Sequence, residues 1–126
     1  MKRLLLALAL VIAAPAAAQD PAQRADDLET LSHTFGGLHH IRRMCEPRDE
    51  AEIWRSRMRR LVELEQPQPA VRDRMVAAFN AAFRAAEARF PSCDREARDY
   101  AAALAAEGDA AVARLSAPLY SAFQEP

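Results

Sequence analysis

The side chains best suited to metal binding or catalysis lie in one stretch, residues 31–45, with the sequence LSHTFGGLHHIRRMC. It contains all three histidines of the chain, His33, His39 and His40. Because imidazole is a common metal ligand, a metal site is the first hypothesis to weigh. In a helix, however, His33 and His40 lie two turns apart, about 10 Å along the axis, too far to bind one ion. No third ligand stands at a metal-binding spacing, so the sequence predicts no metal site and no cofactor.

His39 and Arg42 form a second candidate, because both lie on the apolar side of the same predicted helix. An arginine charge on a core-facing position is costly unless it is paired. Glu65 has the same problem with the opposite sign on the apolar side of the next helix. We therefore predict a buried polar network in which Arg42 meets Glu65, with His39 nearby. The alternative is that these residues line a small pocket for an anion or another ligand.

No pattern in the chain is typical of an enzyme. The nucleophile motif G-x-S-x-G is absent, and nothing selects a working pair among the 18 acidic residues. The only lysine is Lys2, which excludes lysine chemistry in a mature chain that lacks it, except at the α-amine. The sequence predicts no catalytic residues and favours a protein without enzyme activity. A hydrolase of unrecognised type is the alternative.

The first 18 residues have the pattern of a signal peptide. Lys2 and Arg3 precede an apolar run at 4–14, and three alanines at 16–18 suit a signal peptidase. We therefore expect cleavage after Ala18 and export to the periplasm. The run is too short to span a membrane, and no later stretch is longer and apolar, so no integral membrane segment is expected in the mature chain. Removing Lys2 and Arg3 changes the formal charge from −1 to −3, which does not favour nucleic-acid binding.

Apolar periodicity predicts four helices and no strand. In the first helix, an apolar stripe recurs at helical spacing (Leu28, Leu31, Phe35 and Leu38), and Gly36-Gly37 lies off it, marking a kink or a close backbone approach. This helix is expected to start in a capping box from Asp20 to Gln23, with Pro21 at its first position, and to end before Pro47.

The later helices are delimited by further caps and prolines. A capping box at 49–52 predicts the start of the second helix, and residues 66–69 (QPQP) its end. Pro69 predicts the start of the third helix. Ser92 is expected to cap the fourth helix and Pro118 to end it. We therefore expect a helical domain at 19–117 and a C-terminal tail at 118–126.

Four helices joined by short prolyl turns favour an all-α, antiparallel, up-down-up-down bundle. In that topology the end of the first helix and the start of the fourth lie at the same pole. Cys45 and Cys93, the two cysteines of the chain, occupy these positions. Thiols pair in an oxidising compartment, so we predict one disulfide between them.

Several segments resemble a family of uncharacterised, exported helical proteins of proteobacteria: GLHHIRRMC at 37–45, WRSRMRRL at 54–61, AFNAAF at 78–83 and FPSC at 90–93. The pattern resembled is G-x-L-H-x-L-R-x-x-C, W-R-x-x-M, A-F-N, F-x-x-C and a late glycine. The matching residues are His39, Arg42, Cys45, Trp54, Arg55, Met58, Asn80, Cys93 and Gly108. Ile41 replaces a leucine of the pattern, and Phe83 stands where tyrosine is frequent. The family has no assigned activity, so the resemblance implies export and a helical fold with paired cysteines, but no mechanism.

The sequence thus predicts a periplasmic, non-catalytic binding or envelope-associated protein that acts through a protein partner in the cell envelope. The first alternative is a periplasmic binder or sensor of a metal or small ligand that uses the histidines of the first helix. The second alternative is the unrecognised hydrolase.

Overall fold

The structure, a computed structural model, describes residues 19–124. It contains four α-helices: α1 (Pro21–Cys45), α2 (Ile53–Glu65), α3 (Pro69–Arg89) and α4 (Arg95–Gln124). No strand occurs within the described residues, which confirms the all-α prediction. The signal peptide predicted at 1–18 lies outside them. No helix in this part of the chain has the length and apolar character needed to cross a membrane.

Contacts near the helix ends give the direction of α2 and α3. Arg24, near the start of α1, lies 2.5 Å from Glu65 at the end of α2, so these two helices are antiparallel. Arg74, near the start of α3, pairs with Glu29 near the start of α1, so α3 runs parallel to α1. The disulfide and α4 complete the predicted up-down-up-down order.

A disulfide between Cys45 and Cys93 joins the end of α1 to the segment that enters α4, with the Cα atoms 5.3 Å apart. Far along α4, Arg114 Nε lies 2.7 Å from Asp27 Oδ1 near the start of α1, so α4 is antiparallel to α1. The predicted bundle and the predicted cysteine pair are both confirmed.

Helix α1 lies among the other three helices and packs against each of them. It therefore buries more than the single predicted stripe. Its buried residues include short polar side chains and both glycines: Ala25, Asp27, Leu28, Leu31, Ser32, Thr34, Gly36, Gly37, Leu38, His39 and Ile41. A helix with three neighbours has little solvent-facing surface, and small residues let those neighbours approach closely.

The apolar core has two parts along α1. Near the disulfide, Leu38, Ile41, Phe90 and Leu104 pack with alanines of α3 and α4. Toward the opposite pole, Leu28, Met58 and Met75 are buried together, and partly buried apolar residues surround them. The functional candidate described below lies where α1, α2 and α3 meet between these parts.

Gly36 lies at the closest approach between two helices. A Cβ atom built on it would be 2.1 Å from the carbonyl oxygen of Phe79, so the backbones of α1 and α3 are in direct contact there. A Cβ on Gly37 or Gly108 would instead meet side chains, those of Leu104 and Thr34. Of the two alternatives for Gly36-Gly37, the close approach is the one found, and α1 continues through it as a helix.

The predicted start of α2 is wrong. The helix starts at Ile53, and Glu52 stands at its N-cap without a side-chain hydrogen bond. The capping box expected from Asp49 does not form, because residues up to 52 make turns. Glu50 instead accepts a hydrogen bond from Trp54 Nε1 at 3.0 Å and lies 3.8 Å from Arg42 Nε. Glu50 thus has one local contact, with Trp54, and one contact with α1, through Arg42.

Three further predictions of helix ends need correction. Asp20 caps α1 by accepting from the Ala22 amide at 3.1 Å, whereas Gln23 bonds Asp27 at 3.3 Å rather than closing a capping box. Asp94, not Ser92, caps α4, because its Oδ1 accepts from the Ala97 amide at 2.8 Å. Pro118 does not end α4, which continues to Gln124. At such an exposed helix end, water can satisfy the carbonyl that lacks its usual partner.

Candidate functional site

The predicted pairing of Arg42 with Glu65 is wrong. Arg42 lies 3.8 Å from Glu50, and Glu65 lies 2.5 Å from Arg24. The antiparallel course of α2 explains the difference, because its last residue returns to the start of α1 while Arg42 lies near the opposite end. The three residues of the predicted network are therefore not brought together, and only His39 enters the site described here.

His39 is buried, with 3% of its surface exposed, and its ring packs against Phe79 and Phe83 of α3. The ring centroids are 5.8 and 5.4 Å apart, respectively. Its Nδ1 atom is buried and has no hydrogen-bond partner within the described residues. Buried polar atoms normally have a partner, so this ring nitrogen is an exception among the described residues.

The pKa of His39 lies below its usual value, chiefly because burial disfavours the charged ring. The positive charges of Arg43, Arg55 and His40 lower this pKa further, and the carboxylate of Glu52 opposes them. At neutral pH the ring is therefore neutral, with one nitrogen as donor and the other as acceptor.

His39 lines an open pocket of about 370 Å³ between α1, α2 and α3. We call it the His39 pocket, and its lining residues are His39, Arg43, Arg55, Met58, Arg59, Phe79, Asn80 and Phe83. Helical spacing builds it, because His39 and Arg43 are one turn apart on α1, as are Arg55 and Arg59 on α2. Each helix thus presents a single face to the pocket.

The charge in the His39 pocket is of one sign. Arg43, Arg55 and Arg59 line it without a carboxylate among the lining residues. Within residues 19–124 none of these three arginines forms an ion pair, although Arg59 bonds the Ser56 hydroxyl at 3.3 Å. Guanidinium groups bind carboxylates and phosphates with two parallel hydrogen bonds. The lining therefore suits an anion.

The side chains of this pocket are suited to recognising an anion. No serine, cysteine, aspartate or glutamate is among its lining residues, which include the imidazole of His39. The amide of Asn80 and one nitrogen of His39 add neutral hydrogen-bonding groups, and the two phenylalanines add apolar surface. An anion with an apolar body would satisfy all of these groups.

The other two histidines occupy different places. His40 Nε2 lies 2.8 Å from the carbonyl oxygen of Phe90, which gives it a structural role between α1 and the end of α3. His33 lines an open groove in which Arg74 pairs with both Asp26 and Glu29. Among the described residues no group of three or more histidine, cysteine or acidic side chains could hold a metal ion.

Asp27 is a buried charged residue that the sequence reasoning missed. Its carboxylate is 2% exposed and accepts hydrogen bonds from Gln19, Gln23 and Arg114 at 3.0, 3.3 and 2.7 Å. Because its partners come from within the bundle, this carboxylate ties α4 to the start of α1. It differs in this respect from His39, whose Nδ1 has no partner.

Sequence reasoning also missed most of the His39 pocket. No sequence pattern connects the arginines of α2 with Phe79 and Phe83 of α3. The available signal was the resemblance itself, because four of its matching residues line the pocket: His39, Arg55, Met58 and Asn80. These residues stand far apart in sequence, on three different helices.

The lowered pKa of His39 predicts a pH dependence of stability. Between the folded pKa and the unfolded value of 6.5, the unfolded chain binds more protons than the folded one. The free energy of unfolding should therefore fall as pH falls through that window. Urea unfolding between pH 7.5 and 5 should show a smaller fall for His39→Gln than for the unchanged protein. His33→Gln is the matched control and should keep the full dependence; equal pH profiles for His39→Gln and the unchanged protein would refute the assignment.

Comparison with known proteins identifies a family but no specific function. No significant match was found among curated proteins or among solved structures. Residues 24–119 match the model of a family described as "Protein of unknown function (DUF2385)". This match confirms the predicted resemblance to an uncharacterised family. Because it covers most of the sequence, the chain belongs to the DUF2385 family.

Proposed function

We propose that this protein is an exported, non-catalytic binding protein that holds an anionic group, a carboxylate or a phosphate, in the His39 pocket. The observation that carries the proposal is the combination of three arginines, which have no ion-pair partner within the described residues, with a buried neutral imidazole whose Nδ1 is orphaned. An anion would neutralise the arginines, and its oxygens would complete their hydrogen bonds.

Export to the periplasm is supported by two features. The signal-peptide pattern at 1–18 predicts secretion, and disulfides such as Cys45–Cys93 persist mainly in oxidising compartments. A small ligand fits the pocket better than a protein surface does, since concave sites of a few hundred Å³ are typical of small-molecule binding.

Calorimetric titration of the purified protein with butyrate and with inorganic phosphate, at low salt, tests the proposal. We expect one saturable site that weakens as salt rises, because the attraction is electrostatic. Arg55→Gln should weaken binding about tenfold, the loss expected for one charged hydrogen bond.

Arg84→Gln is the matched control, because Arg84 is an arginine of α3 that does not line the His39 pocket. It should leave the affinity unchanged. Absence of saturable binding with both anions would overturn the proposal, as would equal losses in the Arg55 and Arg84 variants.

A further inference from the structure

A second cavity extends the His39 pocket along α2 and α3. It has a volume of about 290 Å³ and shares Met58 and Arg59 with the pocket. We call it the α2–α3 groove, and its lining residues are Met58, Arg59, Val62, Glu63, Arg72 and Val76. The two cavities adjoin at these shared residues, and together they make a depression that extends from Phe83 toward the start of α3.

The surface of the groove is mainly apolar, in contrast to the His39 pocket. Met58 is buried, Val62 is half-buried, and Val76 is 43% exposed. A ligand that covered Val62 and Val76 would remove apolar surface from water, which favours binding. The groove therefore complements an apolar chain, while the adjoining pocket complements a charge.

The two ends of the depression also differ in charge. The His39 pocket has three arginines and no carboxylate among its lining residues. The far end of the groove has Arg72 and Glu63, whose formal charges cancel. A negatively charged group is therefore favoured at the His39 end, and an uncharged chain at the other.

Helices α2 and α3 follow each other after a turn of three residues, 66–68, and each packs chiefly against α1. The groove between them is open, and the charged side chains of Arg59, Glu63 and Arg72 line it beside Met58, Val62 and Val76. A hydrocarbon chain needs no hydrogen-bond partner, so it can cover these apolar side chains without leaving a polar group unpaired.

The length of the depression sets the size of the chain. Phe83 and Arg72 are 11 residues apart on α3, which corresponds to about 16 Å at the helical rise per residue. Extended covalent chains advance roughly 1.2 Å per bond, so a molecule of roughly 13 bonds, head group included, would fill this length.

We infer that the ligand is a single-chain amphiphile whose anionic head lies against Arg43, Arg55 and Arg59 and whose alkyl chain lies in the α2–α3 groove. The inference rests on the proposed function, because it names the ligand class of the same site. The head is a carboxylate or a phosphate, and the two sources, a fatty acid and a phosphorylated lipid fragment, share this chemistry.

The test compares butyrate, octanoate and octyl phosphate by calorimetric titration at concentrations at which all three are monomeric. Each buried methylene strengthens binding by at most about fourfold. We therefore expect octanoate to bind at least about tenfold more tightly than butyrate. The ratio of the octanoate and octyl phosphate affinities distinguishes the two head groups, and tighter binding of either octyl compound supports the inference.

Val76→Asp tests where the chain lies. It should remove most of the advantage of octanoate over butyrate, because only the longer chain reaches the groove. The added negative charge weakens both carboxylates to a similar degree, so the ratio of their affinities is compared. Val112→Asp is the matched control, since Val112 of α4 is 45% exposed, nearly as much as Val76, and lies outside the groove. Circular dichroism of both variants checks that they are folded.

The failures of the two proposals are distinguishable. If butyrate binds and depends on Arg55, but octanoate binds no more tightly, the amphiphile inference is wrong and the proposed function stands. If neither anion binds, the proposed function itself is wrong. An octanoate advantage that persists in Val76→Asp would place the chain elsewhere and overturn the inference. Tighter binding of an apolar peptide with a free C-terminal carboxylate would replace the amphiphile by a peptide.

Discussion

Replacing Gly36 with alanine should force α1 and α3 apart and destabilise the fold by about 3 kcal/mol. The added Cβ would lie 2.1 Å from the Phe79 carbonyl oxygen and 2.8 and 2.9 Å from the carbonyl carbon and Cα of that residue. These are backbone atoms, so no side-chain rotation relieves the clash. The better helix propensity of alanine, about 1 kcal/mol, offsets only part of the cost. A shift of α3 would also move Phe79 away from His39.

Gly37→Ala is the matched control, one residue away on the same helix. Its Cβ would meet Leu104 Cδ1, the mobile end of a side chain, at 2.4 Å, and the next atom only at 3.7 Å. Leu104 can move by rotation, so the free energy of unfolding should change by less than about 1 kcal/mol. Urea unfolding followed by circular dichroism measures both values. Equal stabilities of the two variants would contradict the close contact of α1 and α3.

Removing the disulfide should lower the free energy of unfolding by about 4 kcal/mol on the chain-entropy model. Cys45 and Cys93 are 48 positions apart, and both α2 and α3 lie within the loop that they close. The bond restricts the unfolded chain, and it also holds Cys45 against the apolar cluster near that pole. For a small domain with a total stability of about 5–15 kcal/mol, this loss is large.

The measurement compares urea unfolding of the oxidised protein with that of the protein treated with a thiol reductant. The double variant Cys45→Ser, Cys93→Ser should match the reduced protein and be insensitive to reductant, which makes it the control for side effects. A thiol assay on the unfolded, unreduced protein should detect no free cysteine. Equal stability of the oxidised and reduced forms would show that the bond does not constrain the fold.

Some helix boundaries can be predicted from the local sequence alone, and others cannot. Proline marks the start of α3 at Pro69 correctly, since it suits the first position of a helix. The expected cap at Asp49 does not form, because the segment up to residue 52 makes turns and the helix starts only at Ile53. At Pro118 the helix continues, because a missing hydrogen bond costs less at an exposed end than within a core.

The candidate site, too, could be predicted only in part from the sequence. His39 was identified from its place on the apolar side of the first helix, and the structure places it in the pocket. The carboxylate predicted to pair with Arg42 was wrong. Choosing between Glu65 and Glu50 requires knowing which end of α2 lies beside Arg42. The resemblance includes Arg55 and Asn80, but no spacing rule connects residues on different helices.

The number of helices, their antiparallel order and the cysteine pair could be derived from the sequence. These features depend on local rules, such as caps, prolines and apolar periodicity, and on having only two cysteines to pair. The His39 pocket and the groove beside it were decided by the tertiary structure alone. They depend on how far α1, α2 and α3 are shifted and rotated against each other. That arrangement is set by contacts such as Gly36 against Phe79, between residues far apart in the chain.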